Sequence, residues 1–182
     1  MYGMINEGIR TFIINNHDEQ TWETICQKAA VEGRSFDHMK SYDDSVTYDL
    51  VGAVSEHTGL SAGEVMAKFG SYWIDYAGSS SYGRLMKRAG DSFLERLAGL
   101  DDMHAQIKKS MPHLKPPSFQ LEEIADRTYH LHYFSQRIGL DTMVVGLLDG
   151  LAEETGARIA VKQVAEKSET VDHSVFEIVL AH

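Results

Sequence analysis

The three prolines of this chain, Pro112, Pro116 and Pro117, all fall in one short segment, and the hydrophobic pattern changes period across it. Proline has no backbone N–H and a fixed φ, so neither a helix nor a central strand runs through a Pro-Pro pair. Before the segment apolar residues recur three and four apart; after it they alternate. A chain divided in this way reads as a helical half followed by a sheet half, which excludes a regular βαβ winding.

The helical half breaks into recognisable pieces. Met4, Ile5, Ile9, Phe12 and Ile13 share one face of a first helix, and Trp22, Ile25 and Cys26 mark a second between Gln20 and Ala30, followed by a loop around Gly33. Asp43, Asp44 and Ser45 supply a cap and an acidic first turn for a third, through Tyr48, Leu50, Val51 and Val54 to Gly59. Ser61 with Glu64 forms a capping box ahead of Val65, Met66, Phe69, Tyr72, Trp73 and Tyr76, an apolar set wide enough to bury most of that helix. The Gly-Ser-Ser-Ser run from Gly78 ends it. A short helix around Leu85 and Met86 follows, and Ser92 opens one long helix through Phe93, Leu97, Leu100 and Met103 to Ile107.

Beyond Pro117, Ser118 to Glu123 and Thr128 to Ser135 read as paired strands turning near Asp126, and the second of them continues its alternation to Arg137. Met143 to Glu153 is an inserted helix rich in Val, Leu and Gly, and Arg158 to Val164 and Val175 to Leu180 are two more strands. The expected fold is therefore α+β, a helical N-terminal lobe followed by a mostly antiparallel sheet lobe with one inserted helix. Without an internal repeat or low-complexity linker, residues 1–182 read as a single domain.

Composition narrows the function. With 17 Lys and Arg against 27 Asp and Glu the formal charge is −10, which argues against nucleic acid or an anionic membrane as partner. A single cysteine, Cys26, allows neither an internal disulfide nor a thiolate-built zinc or iron–sulfur site, and suits a reducing cytoplasm. No stretch approaches the roughly 20 apolar residues of a membrane span, and the N-terminus has no secretory pattern.

The chemistry concentrates in a few residues. In Leu131 to Arg137 a side-chain period of two aligns Tyr133, Ser135 and Arg137, two hydroxyls and a guanidinium, in a row suited to an anion. By itself the triplet is equally a polar strand face whose arginine pairs with Asp44. His104 lies at the apolar phase of its helix, where a hydrogen-bonded core histidine is the commoner occupant and an iron ligand the rarer one. Pro116-Pro117 is either a rigid connector or a pocket wall. His130 and His132 alternate on the face opposite the triplet, where a solvated or packing role is commoner than metal binding. No Ser/His/Asp order, phosphate loop or paired catalytic carboxylates point to an enzyme. An inward histidine, a stiffened segment and an anion clamp are together what a heme b site needs: an imidazole for iron, donors for two propionates, and apolar walls.

In these residues the sequence resembles the H-NOX family, the heme nitric oxide/oxygen-binding domain also found as the sensor of soluble guanylate cyclase. The motifs are Tyr-x-Ser-x-Arg at Tyr133, Ser135 and Arg137, Leu-Asp-Asp-Met-His ending at His104, Pro-Pro-Ser-Phe at Pro116 to Phe119, Tyr-Asp-Asp-Ser at Tyr42 to Ser45, and the opening Met-Tyr-Gly. The resemblance implies heme b between the two lobes, His104 as proximal ligand, Tyr133, Ser135 and Arg137 as propionate clamp with Asp44 in support, and Pro117 pressing on the macrocycle. Ile5, Ile9 and Leu147 would line the pocket. Where oxygen-binding members carry a distal tyrosine this chain has Met143, with Thr142 the less suitable alternative, and Trp73 forms the neighbouring wall. A pocket without a hydroxyl donor favours nitric oxide and carbon monoxide over dioxygen, unless the indole N–H of Trp73 reaches the ligand.

The implied function is gas sensing without catalysis: nitric oxide weakens the iron–His104 bond, the long helix is released, the lobes shift, and a partner reads the change. The chain ends at His182 with no room for an output domain, so it reads as a stand-alone or excised sensor, with a histidine kinase or a cyclic-di-GMP enzyme as the partner the resemblance suggests. The alternatives are an oxygen or redox sensor on the same fold, and a heme-binding interaction or carrier module.

Overall fold

A computed structural model describes residues 1–31, 35–79 and 83–181. The expected loop around Gly33, and Ser80 and Ser81 of the break after Gly78, lie outside them. α1 (Gly3–Asn16) and α2 (Glu19–Lys28) are joined by a tight turn in which Asp18 caps α2 by accepting from the Thr21 N–H. α3 (Asp44–Thr58) starts on the side chain of Asp43 and ends at Gly59 with φ +74°, a left-handed cap that glycine adopts without strain. α4 (Ala62–Gly78) opens on the Ser61/Glu64 capping box, in which each residue satisfies an N–H of the other. Ile9, Ile13, Trp22, Ile25, Leu50 and Phe69 form the core of this lobe.

α5 (Gly83–Arg88) precedes two helices where one long one was expected. α6 (Phe93–Ala98) stops at Gly99 and α7 (Leu100–Ser110) starts immediately after it. A Cβ on Gly99 would lie 2.4 Å from that of Ala89, so the chain breaks where the α5–α6 connection crosses close to its backbone. Apolar periodicity carries no trace of such a crossing.

The sheet pairs β1 (Ser118–Ala125), β2 (Thr128–Phe134), β4 (Ser174–Leu180) and β3 (Ile159–Ala165) in that spatial order, all antiparallel. The turn between β1 and β2 is closed by Arg127 at φ 55°. Leu131, Phe176 and Ile178 are fully buried on the inner face, where α6 and α8 (Asp141–Thr155) pack against them with Phe93, Leu97, Val144 and Leu148. One expectation fails here: β2 ends at Phe134, so Ser135 and Arg137 are beyond the strand. Its partners run out there, with Phe134 opposite Ser118, the residue after Pro117, and Tyr133 opposite Ser174, and beyond them the Arg137 N–H donates to Ser135 Oγ (3.0 Å) in a local turn.

α4 and α8 make the closest helix–helix contact. A Cβ on Gly146 would sit 1.9 Å from the Ala67 carbonyl oxygen, and one on Gly70 would sit 2.3 Å from that of Met143. α8 thereby joins the helical lobe through Met143 and the sheet core through Val144, Leu148 and Leu151.

Candidate functional site

Between the two cores and a smaller cluster of Tyr2, Ile107 and Met111 lies a cavity of about 1670 Å³ of atom-free space, part of it continuous with solvent. Its wall is overwhelmingly apolar and includes every methionine of the chain except Met39. Methionine is flexible and polarisable, which suits a wall that must conform to a flat ligand.

Of the residues singled out by sequence, Ile5, Trp73, His104, Pro117, Tyr133, Ser135, Arg137, Met143 and Leu147 all line this cavity. Ile9 does not. It is buried in the core of the helical lobe: it lies on the same face of α1 as Ile5 but one turn further along, past the cavity. Thr142 also stays outside the cavity and packs over Gly63.

His104 projects from α7. Its Nδ1 is buried without a hydrogen-bond partner, and its ring stacks on Phe119, with centroids 6.0 Å apart. Burial lowers the imidazole pKa, opposed by the Asp101 carboxylate and the Pro117 carbonyl, so the ring is neutral near pH 7, the form that ligates metal. Asp101, one helical turn earlier, was missed by sequence reasoning. It accepts from Ser118 Oγ and from the Phe119 N–H, both at 2.7 Å, and ties α7 to the start of β1 across the proline segment. Its signal was an acidic residue three positions before the histidine, on the same helical face.

At the polar end, the Arg137 Nε donates to Asp44 Oδ2 (2.9 Å), Nη2 to Asp44 Oδ1 (3.3 Å) and Nη1 to the Lys115 carbonyl (2.9 Å). The Asp44 carboxylate also accepts from the Met1 amino group. Burial pushes the Asp44 pKa up, but the amino group and the guanidinium together outweigh it and hold the carboxyl below its usual range. Tyr133 is buried, which raises the pKa of its phenol, while a hydrogen bond with Ser135 works the other way; the hydroxyl stays protonated and able to donate. The turn at Ser135 thus assembles the triplet that the strand period was expected to align. Lys167 Nζ donates to the Ser135 carbonyl and adds a second cation near this end.

A heme fits these residues. One neutral imidazole with an orphaned nitrogen faces a wide apolar cavity, and a phenol, a hydroxyl and a guanidinium converge at the polar end, as a tetrapyrrole with two carboxylates requires.

Fold and site together define a heme-binding sensor domain of two lobes. Residues 2–163 match the family model Haem-NO-binding, and the chain belongs to that family, H-NOX. Among curated proteins it is similar to soluble guanylate cyclase 89Db of Drosophila melanogaster, 29% identical over 154 residues, and to soluble guanylate cyclase gcy-32 of Caenorhabditis elegans, 31% identical over 156 residues. These cover 85% and 84% of this chain but 23% of each relative, so the chain spans about a quarter of their length. Among solved structures, an H-NOX protein from Shewanella oneidensis in the Fe(II)NO state superposes with a TM-score of 0.90 at 21% identity, covering 100% of both chains. An oxygen-binding H-NOX domain related to soluble guanylate cyclases superposes at 0.82 and 20% identity, covering 100% of this chain and 96% of that one. The α+β fold is that of H-NOX proteins, whose domains bind heme and sense gases. Among the described residues no helix is long and apolar enough to cross a membrane.

Proposed function

We propose that the chain is a nitric oxide sensor built on heme b, held by His104 from α7, with Tyr133, Ser135 and Arg137 on the propionates, Asp44 fixing the arginine, and Pro117 and Leu147 in the pocket wall. The observation that carries the choice of gas is the ligand-side wall, where Met143 and Trp73 stand and where the hydroxyl of Thr47, which also lines the cavity, is already donated to Asn6 Oδ1 at 2.6 Å. Bound there, ferrous heme supplies an iron that takes nitric oxide or carbon monoxide without a donor, whereas dioxygen gains most from a hydrogen bond. Release of His104 would free α7, which Asp101 and the proline segment couple to β1, and would let the lobes shift for a partner to read. A histidine kinase or a cyclic-di-GMP enzyme is the proposed reader.

The reduced protein should show a nitrosyl spectrum on adding nitric oxide, a carbonyl spectrum with carbon monoxide, and no stable oxy spectrum in air. Met143→Tyr should gain oxygen binding. A stable oxy spectrum in the wild type, abolished in Trp73→Phe, would assign the site to oxygen through the indole N–H instead.

A further inference from the structure

The sheet face turned away from the cavity carries a second constellation. Because Leu131 and Tyr133 point inward, His130 and His132 point outward, and His173 enters the same face just before β4 begins. His132 Nδ1 lies 2.9 Å from His173 Nε2. Behind each ring stands a carboxylate: Asp172 Oδ1 is 2.6 Å from His173 Nδ1, and Glu122 Oε2 is 3.3 Å from His132 Nε2. Phe134 lies nearly parallel to the His173 ring at 4.2 Å, which restricts that ring's rotation. The two imidazoles keep 24% and 21% of their side-chain surface open, enough for a small ion to reach them.

We propose that His132 and His173 form a binding site for a divalent first-row metal ion of the nickel and copper type. The short contact to Asp172 places a proton on His173 Nδ1 and leaves a lone pair on Nε2. Without metal, the Nδ1–H of His132 donates to that lone pair. Moving the one proton from Nδ1 to Nε2 of His132, where Glu122 accepts it, leaves a lone pair on each of the two nitrogens for a metal seated beside the line that joins them, with a carboxylate behind each ring. No proton is lost from the pair in this exchange. Carboxylates on the far nitrogens are what orient imidazoles at metal sites and raise their basicity. Two ring nitrogens about 2.0–2.1 Å from a metal and 2.9 Å apart subtend an angle of about 90°. That is the cis angle of square-planar or octahedral coordination, the geometry of Ni(II) and Cu(II), and it is narrower than tetrahedral zinc prefers. Among the described residues no set of three His, Cys, Asp or Glu side chains converges on one point, so water completes the coordination. His130 stays beside Glu177, 3.8 Å away.

The site pins the end of β2 to the segment entering β4, next to the Ser135 turn but on the opposite face of the sheet from the cavity. Its test uses the reduced, carbon monoxide-bound protein without a histidine tag. Calorimetry with Ni(II) should show one equivalent bound, at least tenfold more weakly in His132→Gln and in His173→Gln, and within twofold of wild type in His130→Gln, with Zn(II) binding less tightly than Ni(II). Imidazole 15N spectra with Zn(II) should shift His132 Nδ1 and His173 Nε2 and leave His104 unmoved. Equal uptake by wild type and the His132→Gln/His173→Gln double variant would overturn the proposal, as would no uptake, which leaves a proton-bridged pair, or tighter binding of Zn(II). The Soret band of each variant reports that fold and cavity are intact.

Discussion

The two walls of the cavity are built on opposite principles. On the Met143 side, α4 and α8 touch backbone to backbone through Gly70 and Gly146, with no side chain between them to repack. On the His104 side, α7 buries Ile107 in a small cluster with Tyr2 and Met111, turns Leu100, Met103 and His104 into the cavity, and is bounded by the break at Gly99 and the segment that carries the three prolines. Its ties to the sheet are the hydrogen bonds of Asp101 and the stacking of His104 on Phe119. Close-packed backbone interfaces resist small displacements, whereas a short helix bounded by breaks at both ends and held through side chains shifts at less cost. In the proposed sensor the wall of α4 and α8 is the one that keeps its shape, and the wall that carries His104 is the one able to move.

Substitutions should separate the two walls. The largest effect is expected at Gly146: a valine there overlaps the Ala67 carbonyl and should lower unfolding stability by about 3 kcal/mol or more in urea titration. A methyl group on Gly52, in α3, would meet nothing within 4 Å, so Gly52→Ala should instead gain about 0.5–1 kcal/mol. If Gly146→Val unfolds no earlier than wild type, the rigid wall is not rigid. Next in size is Asp101→Ala, which leaves Ser118 Oγ and the Phe119 N–H without their acceptor. It should cost about 1–2 kcal/mol, and it should lower the His104 pKa further in heme-free protein, because Asp101 raises it. An unchanged His104 titration by NMR would place Asp101 outside the proximal machinery.

The smallest effect concerns the clamp. Asp44 is partly exposed, so its pair with Arg137 should contribute no more than about 1 kcal/mol. Its folded pKa is depressed, so the contribution is complete above the unfolded carboxylate value of about 4 and fades as pH falls through the lower folded one. The stability difference between wild type and Asp44→Asn should therefore be present at neutral pH and vanish in acid. A difference that persists at low pH would mean that the pair is not its source.

Much of this was legible in the sequence because it depends on local rules. The capping residues Asp43 and Ser61, the period change at Pro117, and the inward phase of His104 each follow from a few neighbouring residues. What was not legible depends on residues distant in the chain. Gly99 ends α6 because Ala89 passes over it, and Ile9 faces the core because of how α1 lies on α2 and α4. The strand period failed at Ser135 because both neighbouring strands begin opposite Tyr133 and Phe134, one of them directly after Pro117, and leave the next residues without a strand to pair with. The glycines of α8 were visible as a composition bias, but their meaning required the helix they pack against.

Amide hydrogen exchange on the reduced protein, with and without nitric oxide, tests the contrast between the walls most directly. Protection in α7, from Leu100 to Ser110, and in the following segment through Pro117 should fall when nitric oxide binds, while α4 and α8 around Gly70 and Gly146 should be unchanged. Loss of protection confined to α4 and α8, with α7 unaffected, would contradict it.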